Sequence, residues 1–197
     1  MRLLAHFIKL LEKDIPLKIK YKDEAWEMKC VNMLIKWFNP NFMTDYTTVI
    51  GYTVYFTDRA YVDKYQHEAL QILVHEAVHL LDTKHFTFPV FASAYLFPQV
   101  LGGLALLFPI SYYFLFFLIF LLPLPAPFRA HFEARAYATD LILKRKNINH
   151  ITTFFTSWDY YKMYPFEGQV KRLLRKWSEN PDARIKKAID TYFTVIS

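Results

Sequence analysis

Between His85 and Arg129 the chain runs for 43 residues, 86–128, without a single Asp, Glu, Lys, Arg or His. One membrane-spanning helix takes about 20 apolar residues, so this stretch has the length of two. A chain of 197 residues has too little other material to enclose such a segment as a buried core, so a membrane-associated hairpin is expected. Phe108-Pro109-Ile110-Ser111 lies near its centre, where proline breaks a helix and turns the chain, and Tyr112 and Tyr113 suit an interface. Pro89 and Pro98, with Pro123, Pro125 and Pro127 at the far end, shorten the available helices. Two full spans and a re-entrant hairpin that dips into one leaflet therefore both fit.

Shortly before this stretch lies His75-Glu76-Ala77-Val78-His79, an H-E-x-x-H run. Its surroundings read as helix: Asp63 and Gln66 suggest an N-terminal capping box, and Leu70, Leu73, Val74, Ala77, Val78 and Leu81 form an apolar stripe. Glu68, Gln71, His75, His79 and Asp82 fall opposite. Histidines four apart on a helix leave one face about a turn apart, so both can reach one tetrahedral Zn²⁺. The glutamate between them is then beside the metal's open position and can take a proton from water. The bland reading is a solvated helix face bearing two ordinary histidines, with His67 a surface residue upstream.

A hydrolytic zinc site takes a third protein ligand and leaves the fourth position for water. Two candidates present themselves. Glu133 lies in Phe132-Glu133-Ala134-Arg135-Ala136-Tyr137-Ala138-Thr139-Asp140, a run of helix formers whose one face carries Glu133, Tyr137 and Asp140. His85 is the alternative, six residues beyond His79.

On these residues the chain resembles the gluzincin metallopeptidases, in which H-E-x-x-H on one helix is completed by a glutamate on a later helix. It looks most like the minigluzincins and the membrane CAAX prenyl proteases and heat-shock membrane proteases. That resemblance implies an α+β zincin-like domain with a small sheet and the H-E-x-x-H helix, with a hydrophobic helical hairpin inserted between motif and glutamate. It also implies substrate lying along an edge strand. The departure is Tyr137, where those families often have an acidic residue; Asp140 could orient a ligand imidazole instead. The stretch from His75 to His85 is also similar to the metzincin pattern H-E-x-x-H-x-x-G-x-x-H, but Asp82 stands where that pattern uses glycine to turn the chain. Met163-Tyr164-Pro165 resembles a methionine turn only superficially. If Glu133 is the ligand, the intervening stretch must enter and leave the membrane on the same side.

Other features agree. The chain is 54% hydrophobic with a net charge of +6, and basic residues such as Lys84, Arg129, Lys144, Arg145 and Lys146 flank the uncharged stretch. Positive flanks place the catalytic face on the cytoplasmic side. No nucleic-acid-binding module accompanies the charge. The lone Cys30 excludes an intramolecular disulfide framework and is read as packing, on a helix over 23–38 whose buried stripe is Trp26, Cys30, Met33 and Trp37. Residues 1–13 read either as an ordinary first helix or as an interfacial one. Residues 17–22 and 47–57 alternate as strands, the latter being the expected substrate edge. Later helices are expected over 166–177 and from Pro181, with Asn180 as cap.

The expectation is one domain over 1–197 with 86–128 as inserted membrane hairpin, acting as a zinc endopeptidase. His75, His79 and Glu133 hold Zn²⁺, Glu76 is the general base, and Tyr137, Arg135 or His150 stabilises the oxyanion, with Tyr137 preferred. The partners are a peptide or protein substrate and membrane lipid. The rival class is a non-enzymatic, membrane-anchored interaction or membrane-perturbing protein whose metal site is vestigial.

Overall fold

The computed structural model describes residues 2–37, 39–158 and 162–197. The Phe38 end of the expected 23–38 helix, and Met1, lie outside the described residues. Among the described residues the chain is mostly helical with one three-stranded mixed sheet, compatible with an α+β class. It divides into two compact units, Met1–His85 with Ala183–Ser197, and Phe86–Asp182. The second unit begins where the uncharged stretch begins.

The first unit opens with α1 (Arg2–Leu11) and contains β1 (Lys18–Tyr21), α2 (Trp26–Ile35), β2 (Thr48–Ile50) and β3 (Thr53–Phe56). It continues through α3 (Arg59–Lys64) and α4 (Gln66–Phe86), and the last helix of the chain, α9 (Ala183–Ile196), returns to it. Leu4, Phe7 and Leu11 are buried at helical spacing on α1, as are Ile185, Ala188, Ile189, Tyr192 and Val195 on α9, and the two helices pack together. α1 is therefore an ordinary core helix of its unit. Asp14 just beyond α1 pairs with Lys187 of α9, and its carbonyl accepts a 2.6 Å bond from Lys84 of α4.

The expected single strand over 47–57 is instead a hairpin. β2 and β3 pair antiparallel across Gly51-Tyr52, where Gly51 takes φ 60°. Only glycine adopts that conformation without strain in so tight a turn, which is why the alternating pattern is interrupted there. β1 joins β3 in parallel, giving the order β1-β3-β2. The residues of β3 are thus central, and the free edges are β1 and β2.

The expected helix start at Asp63 also moves. Asp58 caps α3 by accepting a 2.6 Å bond from the Tyr61 amide, and Asp63 lies within α3. α4 follows after Tyr65 and runs unbroken for 21 residues. α2 is rotated from its expected phase: Met28 is its buried residue, packed with Ala25, Phe42 and Tyr55, whereas Trp26, Cys30, Met33 and Trp37 are exposed.

The second unit starts with α5 (Phe88–Tyr95), followed by two 3₁₀ stretches, Gln99–Leu107 and Tyr112–Leu121, that pack against each other across a turn at 108–111. Gly102 makes their close approach possible, since a Cβ there would sit 2.4 Å from Leu121 Cδ2. Then come α6 (Pro127–Ile142), α7 (Ile148–Thr156) and α8 (Glu167–Glu179). α7 was not anticipated; Asn147 caps it by accepting a 2.8 Å bond from the His150 amide. Asn180 terminates α8 and does not cap the next helix, which begins at Ala183. Ala130, Ala134 and Tyr137 of α6 form the core of this unit with Ile151, Phe155, Met163, Val170 and Leu174. Met163 is thus a core side chain of this unit.

Candidate metal centre

α4 is buried along most of its length; Glu68 is exposed and Gln71 half-buried, but from His75 onward the polar stripe is buried with the apolar one. His75 is 8% and His79 6% exposed, and Asp82 and Thr83 lie inside with them. This removes the reading of a solvated face. The two imidazole rings meet edge to face with centroids 5.4 Å apart, as one helical turn dictates. Asp82 is held by Arg184 of α9, with 2.9 Å between charged atoms. Glu76 is half-buried, while His67 and His85 are exposed.

α4 continues helically through His85 to Phe86 and turns only at Thr87, which takes φ 66°. The chain therefore makes no turn at Asp82. Without that turn, a third histidine six residues beyond His79 stays on the helix and cannot fold back over the pair.

Glu133, 6% exposed, stands in the middle of α6. Each of His75, His79 and Glu133 offers one ligand atom, and these atoms all lie within 4.8 Å of one another, so the group could hold a metal ion. Tetrahedral zinc with bonds of about 2.0–2.1 Å sets its ligand atoms roughly 3.4 Å apart. A two-histidine, one-carboxylate donor set at this spacing fits such an ion after side-chain adjustments of about an ångström. It is the one group of this kind among the described residues, and His85 is outside it.

Tyr95 was not anticipated. Its hydroxyl donates to Glu133 Oε1, and the Arg129 guanidinium lies 5.3 Å from the centre of its ring. A donor on one carboxylate oxygen fixes the rotamer and leaves the other oxygen for an ion. No spacing rule signals this contact, because Tyr95 lies 38 residues before Glu133 and inside the uncharged stretch.

The other expected site residues have clear local roles. Asp140 accepts a 2.8 Å bond from Arg145, and Arg135, fully buried, binds Asp182 at 2.6 Å with its guanidinium over Trp177. Tyr137 is in the core, its ring against Phe154 and Phe155 and under Lys146. His150 is exposed on the first turn of α7, against Phe154.

Lys22 is the second unanticipated residue. It follows β1, is fully buried, and its ammonium donates to the Phe42 carbonyl at 2.6 Å while lying 3.8 Å from the centre of the Phe42 ring. Burial lowers its pKa to about 8, and the Glu76 carboxylate opposes part of that shift. Lys22 therefore contributes positive potential at the glutamate of the H-E-x-x-H run.

No family model, curated protein or solved structure matches the chain.

Two outcomes follow from these contacts. Lysine side-chain NMR should find one amine titrating near pH 8, absent in Lys22→Met and shifted lower in Glu76→Gln, where the opposing carboxylate is gone. Because this pKa is lower than the unfolded value of about 10.4, the charged amine opposes folding and its cost disappears as pH rises through that window. Tyr95→Phe should retain the fold and weaken metal affinity by about 10–100-fold in a chelator competition, since it removes the bond that orients Glu133.

Proposed function

We propose that this chain is a zinc metallopeptidase of the gluzincin kind, built on a zincin-like domain and associated with a membrane through 86–128. The observation that carries the reading is the buried His75, His79 and Glu133 group, with Glu76 on the turn between the two histidines. A zinc ion held there would supply Lewis acidity, polarising a carbonyl and making water nucleophilic at neutral pH.

The protein's own part follows from its geometry. His75 and His79 are presented by one rigid helix, and the Tyr95 hydroxyl steadies Glu133. Glu76 is the general base that accepts the proton of the attacking water and returns it to the leaving amine. Lys22 supplies a positive charge that interacts with the Glu76 carboxylate. A peptide adds as a strand to a free sheet edge, and β2 rather than the central β3 is the part of the hairpin open to it.

Membrane association is supported by the exposed apolar side chains of the two 3₁₀ stretches and the turn between them, among them Leu106, Phe108, Ile110 and Phe116. Among the described residues no single helix is long and apolar enough to cross a membrane; α5 and Gln99–Leu107 together pass that test but are bent by 99°. At about 2.0 Å per residue a 3₁₀ stretch of nine or ten residues reaches roughly 20 Å, against a hydrocarbon core of about 30 Å. That length favours the re-entrant form over two full spans, with the flanking basic residues and the catalytic face cytoplasmic.

Elemental analysis should find one zinc per chain, lost in His75→Ala, His79→Ala and Glu133→Ala but kept in His85→Ala. Glu76→Gln should keep the metal and lose peptide hydrolysis by orders of magnitude. Stoichiometric zinc with unchanged turnover in Glu76→Gln would remove the base from the mechanism, and absence of zinc would favour a non-enzymatic membrane protein. A cysteine at Ser111 in a Cys30→Ser background should resist a membrane-impermeant thiol reagent from both sides of a vesicle. Labelling from the far side would instead establish full spans.

A further inference from the structure

The rotation of α2 leaves an apolar face in the first unit with no role in the metal site. Trp26, Met33, Leu34 and Trp37 are 74%, 62%, 72% and 83% exposed, and Cys30 is exposed among them. Trp26, Cys30 and Met33 recur at helical spacing and form one stripe on α2, and the exposed Trp37 lies in the turn just beyond the helix end at Ile35. Lys29 and Lys36 are exposed beside the stripe. The helix's one acidic residue, Glu27, is turned to the sheet, where it accepts bonds from Lys20 and from Tyr55 at 2.9 Å. The bond from Lys20 lowers the Glu27 pKa to about 2, so its charge is matched within the unit. Upstream, Glu24 is met by Arg59 at 3.6 Å, leaving Asp23 as the neighbouring acid. Met28 faces inward, with Val31 and Ile35 packed partly against the same cluster, so the exposed stripe is on the helix's outer side.

We propose that this surface, the outer face of α2 with the turn that follows it, lies in the headgroup layer of a bilayer containing anionic lipid, with Trp26 and Trp37 at the polar–apolar boundary and Lys29 and Lys36 on lipid phosphates. Tryptophan is the side chain best suited to that boundary, having an apolar ring and one N–H donor. Lysine can lay its stem along the apolar surface while its ammonium stays with the phosphates. A helix whose outer face carries aromatic and aliphatic residues, with exposed lysines beside them at Lys29 and at the C-terminal cap Lys36, has the pattern of an interfacial segment. A second copy of the chain is a poorer occupant. Antiparallel two-fold pairing of this face would bring Lys29 of one copy towards Lys36 of the other. A helix of ten residues is also only about 15 Å long and about 10 Å across, far from the roughly 800 Å² per partner of a stable protein interface. A bilayer sets no such minimum, because each inserted side chain adds its own transfer free energy.

Cys30 supplies the test, being the sole cysteine of the chain and within the face itself. An environment-sensitive fluorophore attached there should shift to the blue on vesicles of phosphatidylcholine with 30% phosphatidylglycerol (about this fraction) and much less on phosphatidylcholine alone. Lys29→Gln with Lys36→Gln should lower the ratio of inserted to aqueous label on the anionic vesicles roughly 30-fold, at about fivefold per lysine. Trp26→Ser with Trp37→Ser should abolish the shift while leaving thermal unfolding unchanged, since both side chains are exposed. Flotation separately reports whether the whole protein is on the vesicle. Label that stays aqueous on protein that floats overturns the proposal, because 86–128 would then be the attachment. An equal shift on both vesicle types overturns the role of the lysines, and a concentration-dependent shift without vesicles assigns the face to a second copy.

Discussion

A helix that buries its polar side chains is the constraint on which the rest of this protein depends. α4 carries His75, His79, Asp82 and Thr83 out of water along with its leucines and valines. Burying such groups costs free energy unless partners meet them, so the chain must bring matching chemistry to this helix. Arg184, on the last helix of the chain, supplies it for Asp82. The two imidazoles, with the Glu133 carboxylate, make up the group that could hold a metal ion. An amphipathic surface helix would impose none of these requirements.

The same logic recurs on α6. Glu133, Arg135 and Asp140 lie inside a helix whose other buried positions are mostly alanine. Each has a specific counterpart: Tyr95 for Glu133, Asp182 for Arg135 and Arg145 for Asp140. Paired in this way, buried charges hold their rotamers, and rigid ligands are what a preorganised metal site needs. Alanine at 130, 134, 136 and 138 keeps the helix thin enough for such groups to be accommodated.

The contrast between α2 and α4 shows how periodicity misleads. In both helices one stripe looked apolar and the other polar or mixed. On α2 the apparent core stripe of tryptophan, cysteine and methionine faces outward, because Met28 is the residue that reaches Ala25, Phe42 and Tyr55. On α4 the apparent solvent stripe is buried at His75, His79 and Asp82, with only its N-terminal part, at Glu68, in solvent. Hydrophobic spacing identifies a helix and its faces, but which face is covered depends on what else the chain places beside it, and tryptophan and methionine serve an interface as readily as a core. The 47–57 strand failed for a local reason, since a single glycine with positive φ converts an extended run into a hairpin.

Much was legible locally. The H-E-x-x-H run lies on a helix, the uncharged stretch folds back on itself at the turn containing Pro109, and 17–22 contains a strand. These features depend on spacing, proline and alternation over a few residues, which sequence records directly. The choice of Glu133 over His85 for the group, and the contributions of Tyr95 and Lys22, were decided by tertiary structure. Tyr95 meets a residue 38 positions away, and Lys22 takes its lowered pKa from burial against a carbonyl 20 positions away. His85 is outside the group because α4 does not end where a third histidine would require it to. Residue types along a chain carry chemistry, but which of them meet, and how dry the meeting place is, depends on packing between elements far apart in sequence.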